Sequence, residues 1–142
     1  MRRVNRSALV PYSAEQMFAL VDGIEDYPAF LPWCDHAEVH ERNQQMVVAT
    51  LGLSRGGVTR RFTTRNYNQA PKRIELTLVD GPFSHLRGEW SFDQLGDDGS
   101  KVSLDIEFDV LSAMLGAVLS RVFEQTCNEL VDAFTRRAAD VY

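Results

Sequence analysis

Cysteine is scarce in this sequence: Cys34 and Cys127 are the only two among 142 residues. A disulfide framework is therefore excluded as the source of stability, and a reducing cytoplasm is the expected compartment. Long apolar runs are absent as well, so no segment of about 18 apolar residues is available to span a bilayer. The N-terminal Met1-Arg2-Arg3-Val4-Asn5-Arg6 is basic but leads into no apolar stretch, so no secretory signal is expected and the sequon Asn5-Arg6-Ser7 reads as a chance match. Repeats, linkers and low-complexity tracts are missing too. Hydrophobic residues make up 44% and charged residues 25%, which suits neither a disordered chain, a collagen-like repeat nor a coiled coil. One domain over residues 1–142 remains, large enough to bury about 68% of its unfolded surface without a metal or disulfide staple.

Acid is missing from one long stretch. Between Asn43 and Ile74 there is no Asp or Glu, while Arg55, Arg60, Arg61, Arg65, Lys72 and Arg73 all fall inside it. The net charge of the whole chain is −5, so the remainder is strongly acidic and DNA is not an expected partner. Such a stretch either offers a basic patch to a phosphate-rich partner or anionic membrane face, or blunts the edges and turns of a sheet with solvated charge.

Arg2–Val10 reads as a strand ended by Pro11. Ser13-Ala14-Glu15-Gln16 is a capping box, followed by Met17, Phe18 and Val21 at helical spacing and a left-handed stop at Gly23. The segment Asp26-Tyr27-Pro28-Ala29-Phe30-Leu31-Pro32-Trp33 permits a second short helix closed by Pro32. From His36 the period becomes two, with strands at Ala37–Glu41, Gln45–Leu53, Val58–Tyr67, Arg73–Val79, Leu86–Leu95 and Lys101–Val110. In the last, Val102, Leu104, Ile106, Phe108 and Val110 alternate with Ser103, Asp105, Glu107 and Asp109, one face buried and one wet. Gly96-Asp97-Asp98-Gly99 marks a hairpin, and Gly56-Gly57, Asn68-Gln69-Ala70-Pro71 and Asp80-Gly81-Pro82 mark other corners. After Leu111 the period returns to 3.6, predicting a helix from Ser112 to Ala139 about 42 Å long.

This order gives an α+β domain: a curved antiparallel sheet of about seven strands around a long C-terminal helix, with two short helices after the first strand. A strongly twisted sheet of that width curls, and one helix cannot fill its concave face. A cavity is the expected consequence. Phe62, Leu76, Trp90, Phe92 and Phe108 can line it from the strands, with Met114, Val118 and Val122 from the helix. Phe30, Trp33 and Phe83 lie beside proline-containing segments, where Trp33 and Phe83 would form a mouth. Each of these residues is equally at home in a solid core.

Several motifs carry a resemblance. Leu9-Val10-Pro11-Tyr12-Ser13-Ala14-Glu15-Gln16-Met17-Phe18, Asp26-Tyr27-Pro28 with Phe30-Leu31-Pro32, Phe62-Thr63-Thr64-Arg65-Asn66, Val79-Asp80-Gly81-Pro82-Phe83, Arg121-Val122-Phe123 and Ala133-Phe134-Thr135-Arg136-Arg137-Ala138 occur in order along nearly the whole chain. Together they resemble the RatA-type ribosome-association toxins, bacterial relatives of the mitochondrial coenzyme-Q-binding proteins within the START-like polyketide cyclase/dehydrase (SRPBCC) superfamily. The resemblance implies a helix-grip fold and a hydrophobic ligand tunnel. It also implies two roles: binding of ubiquinone or a similar lipid in support of respiration, and association with the large ribosomal subunit that blocks subunit joining and translation initiation. It brings no catalytic motif.

The leading expectation is a non-enzymatic binding protein for a hydrophobic isoprenoid such as ubiquinone, cytoplasmic or peripheral to the inner membrane, with no required cofactor. The alternative is a translation-blocking factor docking on ribosomal RNA through Arg55, Arg60, Arg61 and Arg65, and the third reading is a small cyclase or dehydratase. Gly52-Leu53-Ser54-Arg55-Gly56 matches G-x-S-x-G, but a hairpin rather than a strand-to-helix elbow is expected there, so Ser54 is not expected to act as a nucleophile. His36, Glu38 and His40 would share one strand face and offer metal-ligand chemistry, yet Ala37 and Val39 between them turn that face to water, and no metal site is expected. Asp105, Glu107 and Asp109, and His85, Arg87 and Glu89, likewise fall on wet faces. Gly81 and Pro82 would hold Phe83 rigidly, as a gate or as plain corner chemistry.

Overall fold

Ser13 starts the helical part in the way its neighbours dictate. Its hydroxyl accepts from the Gln16 N–H at 3.1 Å while the Gln16 side chain accepts from the Ser13 N–H at 2.9 Å, a reciprocal cap. In the computed structural model, which describes residues 1–111 and 116–142, this cap opens helix α1 (Ala14–Asp22) after strand β1 (Arg2–Val10). Gly23 ends α1 without the expected left-handed conformation: its φ is −79°, and its N–H bonds the carbonyls of Ala19 and Leu20 at 3.0 and 3.3 Å. The chain turns directly into a 3-10 turn at Ile24–Asp26 that buries Ile24, so no reversal of hand is needed. Helix α2 (Tyr27–Phe30) follows and stops at Leu31, ahead of Pro32.

Six strands succeed one another by short turns: β2 (Cys34–Arg42), β3 (Met46–Arg55), β4 (Val58–Gln69), β5 (Arg73–Asp80), β6 (Phe83–Leu95) and β7 (Gly99–Val110). They begin or end one to three residues beyond the periodic cores because edge hydrogen bonds persist where side-chain alternation has already lapsed. Gly56 and Gly57, at φ 58° and 81°, form the two-residue turn between β3 and β4, and Gly96 at φ 65° opens the turn before β7. All pairings are antiparallel in the order β1-β7-β6-β5-β4-β3-β2, so β1 closes the far edge against β7, with Arg2 opposite Phe108. Helix α3 (Gly116–Val141), about 39 Å long, crosses the concave face and buries Leu119, Val122, Phe123, Thr126, Cys127, Val131, Phe134 and Ala138. No helix among the described residues is long and apolar enough to cross a membrane.

Two aromatic groups anchor α3 to the sheet. Phe123 meets Phe62, Phe83 and Phe108 edge-on at 5.8, 4.9 and 4.7 Å. Phe134 meets Tyr27, Phe30 and Trp90 edge-on, each at 5.4 Å. Such pairs contribute about 0.5–1.5 kcal/mol each beyond the area they bury.

Candidate functional site

Between these two anchors the interior does not close. A cavity of about 80 Å³ lies between the concave face and α3. Strand β3 supplies Ala49, Leu51 and Leu53, and β4 supplies Phe62, Thr64 and Asn66. Phe123, Thr126, Cys127, Leu130 and Phe134 face them from α3, and Tyr27 and Trp33 close one end. Gly88 helps to leave the room. It faces inward between Leu76 and Ile106, and a Cβ there would lie 3.3 and 3.2 Å from their side chains. An engineered apolar cavity of about 150 Å³ admits benzene. A guest larger than one isoprene unit therefore requires half-buried wall residues such as Leu51, Leu76 and Leu130 to move apart.

The wall carries no charged side chain among the described residues, and most of its polar atoms are already used. The Tyr27 hydroxyl donates to the Val21 carbonyl, and burial holds its pKa well above the ordinary phenol value. The Thr126 hydroxyl donates to the Val122 carbonyl at 2.8 Å. Burial pushes the Cys127 thiol far up, so it stays protonated and unreactive. Thr64 donates to Oδ1 of Asn66 at 2.9 Å, and both residues are only 8% exposed. Among the described residues the Asn66 amide nitrogen has no acceptor.

At the rim, Arg55 forks onto Glu129 of α3 with contacts of 2.7 and 3.1 Å, and its Nη1 lies 3.5 Å from the Thr126 hydroxyl. The hydrogen bonds from Arg55 hold the Glu129 carboxyl below the usual carboxylate range. The pair ties the β3–β4 hairpin to α3, where Gly56 sits against Val122.

Of the residues expected to line a cavity, Trp33, Phe62, Leu76 and Trp90 do so. Phe83 is not at a mouth: it is 3% exposed and lies within the cluster of Phe62, Phe108 and Phe123. Gly81, at φ 151°, makes that placement possible, since a Cβ there would come within 2.8 Å of the Phe62 Cβ. Phe108 fills the same cluster, and Phe92 stacks on Trp90 at 6.2 Å and meets Phe18 at 5.6 Å, so both are solid core. Phe30 packs on Phe134 under Arg137, whose guanidinium lies 4.8 Å from its ring. Val118 and Val122 pack against the core outside the wall, and Met114 lies outside the described residues. Thr64, Asn66, Thr126, Phe123, Leu130 and Phe134 were not foreseen. The alternation of β4 could have found two of them, because Thr64 and Asn66 share a face with Phe62.

The four arginines do not form one patch. Residues 60 and 61 necessarily point to opposite sides of a strand: Arg60 lies opposite Leu53 on the concave side, and Arg61 opposite Gly52 on the convex side with Arg65. Arg55 is spent on Glu129. Ser54 lies near the end of β3, its N–H donating to the Trp33 carbonyl at 2.8 Å, with no elbow around it. His36 and His40 lie 3.6 and 4.0 Å from Glu38, and His40 also bonds Thr50 at 2.7 Å. No group of three His, Cys, Asp or Glu able to hold a metal ion is found among the described residues. The acidic row of β7 faces outward, where Arg3 forks onto Asp105 at 2.9 and 2.6 Å, His85 meets Glu107 at 3.2 Å and Arg73 meets Glu89 of β6 at 3.3 Å.

Residues 10–135 match the family described as polyketide cyclase/dehydrase and lipid transport. The chain is 41% identical over 139 residues to the ribosome association toxin RatA of Pseudomonas aeruginosa, covering 98% of this chain and 96% of that one. It is 43% identical over 142 residues to RatA of Vibrio cholerae, covering 100% and 99%. The mitochondrial coenzyme Q-binding protein COQ10 homolog B of Xenopus laevis is 25% identical, over 97% of this chain and 58% of that protein. Among solved structures, the Zhui aromatase/cyclase from Streptomyces superposes with a TM-score of 0.86 at 19% identity, covering 97% and 93%, a likeness of fold alone. The seven-stranded curved sheet gripping its C-terminal helix and the match along nearly the whole length lead to one conclusion: the chain belongs to the START-like polyketide cyclase/dehydrase and lipid transport family, among the relatives named ribosome association toxin RatA.

Proposed function

We propose that this chain is a cytoplasmic ribosome-association factor, toxic in excess, that acts on the large subunit and keeps the two subunits from joining. The observation that carries this reading is identity of 37–43% with several RatA proteins over at least 98% of the chain, against 25% with the coenzyme-Q-binding relative. Ribosome association therefore takes first place over quinone binding, reversing the order expected from sequence. The docking face is the convex side of β4, where Arg61 is exposed and Arg65 half-buried beside it. Purified protein added to a cell extract should shift joined ribosomes toward free subunits in a sucrose gradient, and raised salt should weaken the effect as phosphate contacts are lost. An unchanged gradient at stoichiometric protein would refute the reading.

A second activity is supported by the cavity itself: an uncharged, mainly apolar space suits a hydrophobic guest such as an isoprenoid lipid or ubiquinone. With no acid–base pair in the described wall, binding without chemistry is favoured over a cyclase or dehydratase. The guest makes no contact with the convex face, so both activities fit on one molecule. Mass spectrometry of small molecules extracted from freshly purified protein tests it, and protein free of any lipid or quinone would count against it.

A further inference from the structure

We infer that the interior cavity selects a neutral ligand bearing a carbonyl oxygen, and that Asn66 is the residue that selects it. The inference rests on the reading of the cavity as a binding site. Asn66 is more than nine-tenths buried and faces inward from β4, between Val47 of β3 and Leu76 of β5. Its carbonyl oxygen is already held by Thr64, which fixes the amide so that its N–H groups are the unspent end. Neither Trp33 nor Trp90, the two indoles in the wall, donates to any described residue either. The Asn66 amide thus keeps its N–H groups unpaired at a residue that lines the cavity, and a guest that brings an acceptor can pair with them.

Charge decides the class of acceptor. No Lys, Arg or His lines the cavity among the described residues, and Arg55 at the rim is forked onto Glu129. A carboxylate or phosphate drawn inside would have no counter-ion and would lose its hydration. A ketone, ester or similar carbonyl loses far less and pairs directly with the amide. A pure hydrocarbon fits the apolar wall but leaves Asn66 stranded.

Acetophenone and α-methylstyrene test this, because they share one frame and differ only in a C=O against a C=CH2. Titration by 1H–15N NMR should show acetophenone moving the Asn66 side-chain amide resonance, with the hydrocarbon moving cavity resonances but not that one. Replacing Asn66→Leu together with Thr64→Val, which strands no hydroxyl, should weaken acetophenone about tenfold while leaving α-methylstyrene within about twofold. The same double variant without ligand should show an unchanged or raised Tm, which reports that it folds. If the variant binds both compounds as wild type does, the role of Asn66 is overturned while the cavity reading survives. If neither compound perturbs any cavity resonance of the wild type, both fall together.

Discussion

The two faces of one sheet obey opposite rules. Within the described cavity wall on the concave side, β3 to β7 present mainly Leu, Ile, Phe and Trp, with two polar residues, Thr64 and Asn66, and no charge. On the convex side β5, β6 and β7 carry Glu75, Arg87, Glu89, Asp105 and Glu107, joined by Arg3 of β1, around one shallow depression. A strand alternates its side chains, so a single sequence writes both surfaces at once. The inner face sets stability and the choice of guest. The outer face sets solubility and what the molecule can meet.

The largest effects should come from the filled part of the inner face. Phe108→Ala removes a side chain with 0% exposure from the cluster of Phe83 and Phe123, and should cost about 3–5 kcal/mol in urea unfolding. Leu76→Ala, at the half-buried edge of a space already open, should cost less than about 2 kcal/mol, and equal costs would mean that the cavity wall is packed as tightly as the core. Gly88→Ala should change stability by under about 1 kcal/mol, since the ends of Leu76 and Ile106 can yield into the cavity. It should also weaken any cavity ligand. If binding were unaffected, the guest would have to sit elsewhere.

Smaller effects belong to the rim and the outer face. Glu129→Gln breaks the charged fork to Arg55 and should cost up to about 1 kcal/mol at neutral pH. Because the folded-state pKa of Glu129 is depressed, its contribution is present above the unfolded value near 4.3 and fades as pH falls below it. Wild type and variant should therefore converge in stability in acid, and a gap that persisted there would assign the loss to packing instead. Arg61→Glu with Arg65→Glu should alter stability by no more than about 0.5 kcal/mol. The same pair should abolish the shift in ribosome profiles and relieve growth inhibition on overexpression, and undiminished toxicity would move the docking surface off β4.

Local chemistry was legible in the sequence wherever one short segment decides the outcome. The Ser13 cap, the Gly56-Gly57 and Gly96 turns and the alternation of β7 depend on neighbours a few residues away. The curl of the sheet around a long helix followed from strand number and twist. Which aromatic rings border empty space did not, because Phe62 and Phe108 share a sheet face and both pack on Phe123, yet only Phe62 reaches the cavity. Asn66 is equally hard to place from sequence, because apolar periodicity marks a cavity wall only by its hydrophobic members. The division of Arg60 from Arg61 lay in plain view, since adjacent strand residues cannot share a face.

The pairing of β1 with β7 has a temporal side. Arg2 is synthesised well before its partner Phe108, and at about 5–20 residues per second that delay is on the order of ten seconds. Helix α3, which completes the interior, follows β7 in the chain and is made later still. A chain made only as far as β6 thus holds neither the β1–β7 pairing nor a finished pocket, and both wait for β7 and α3.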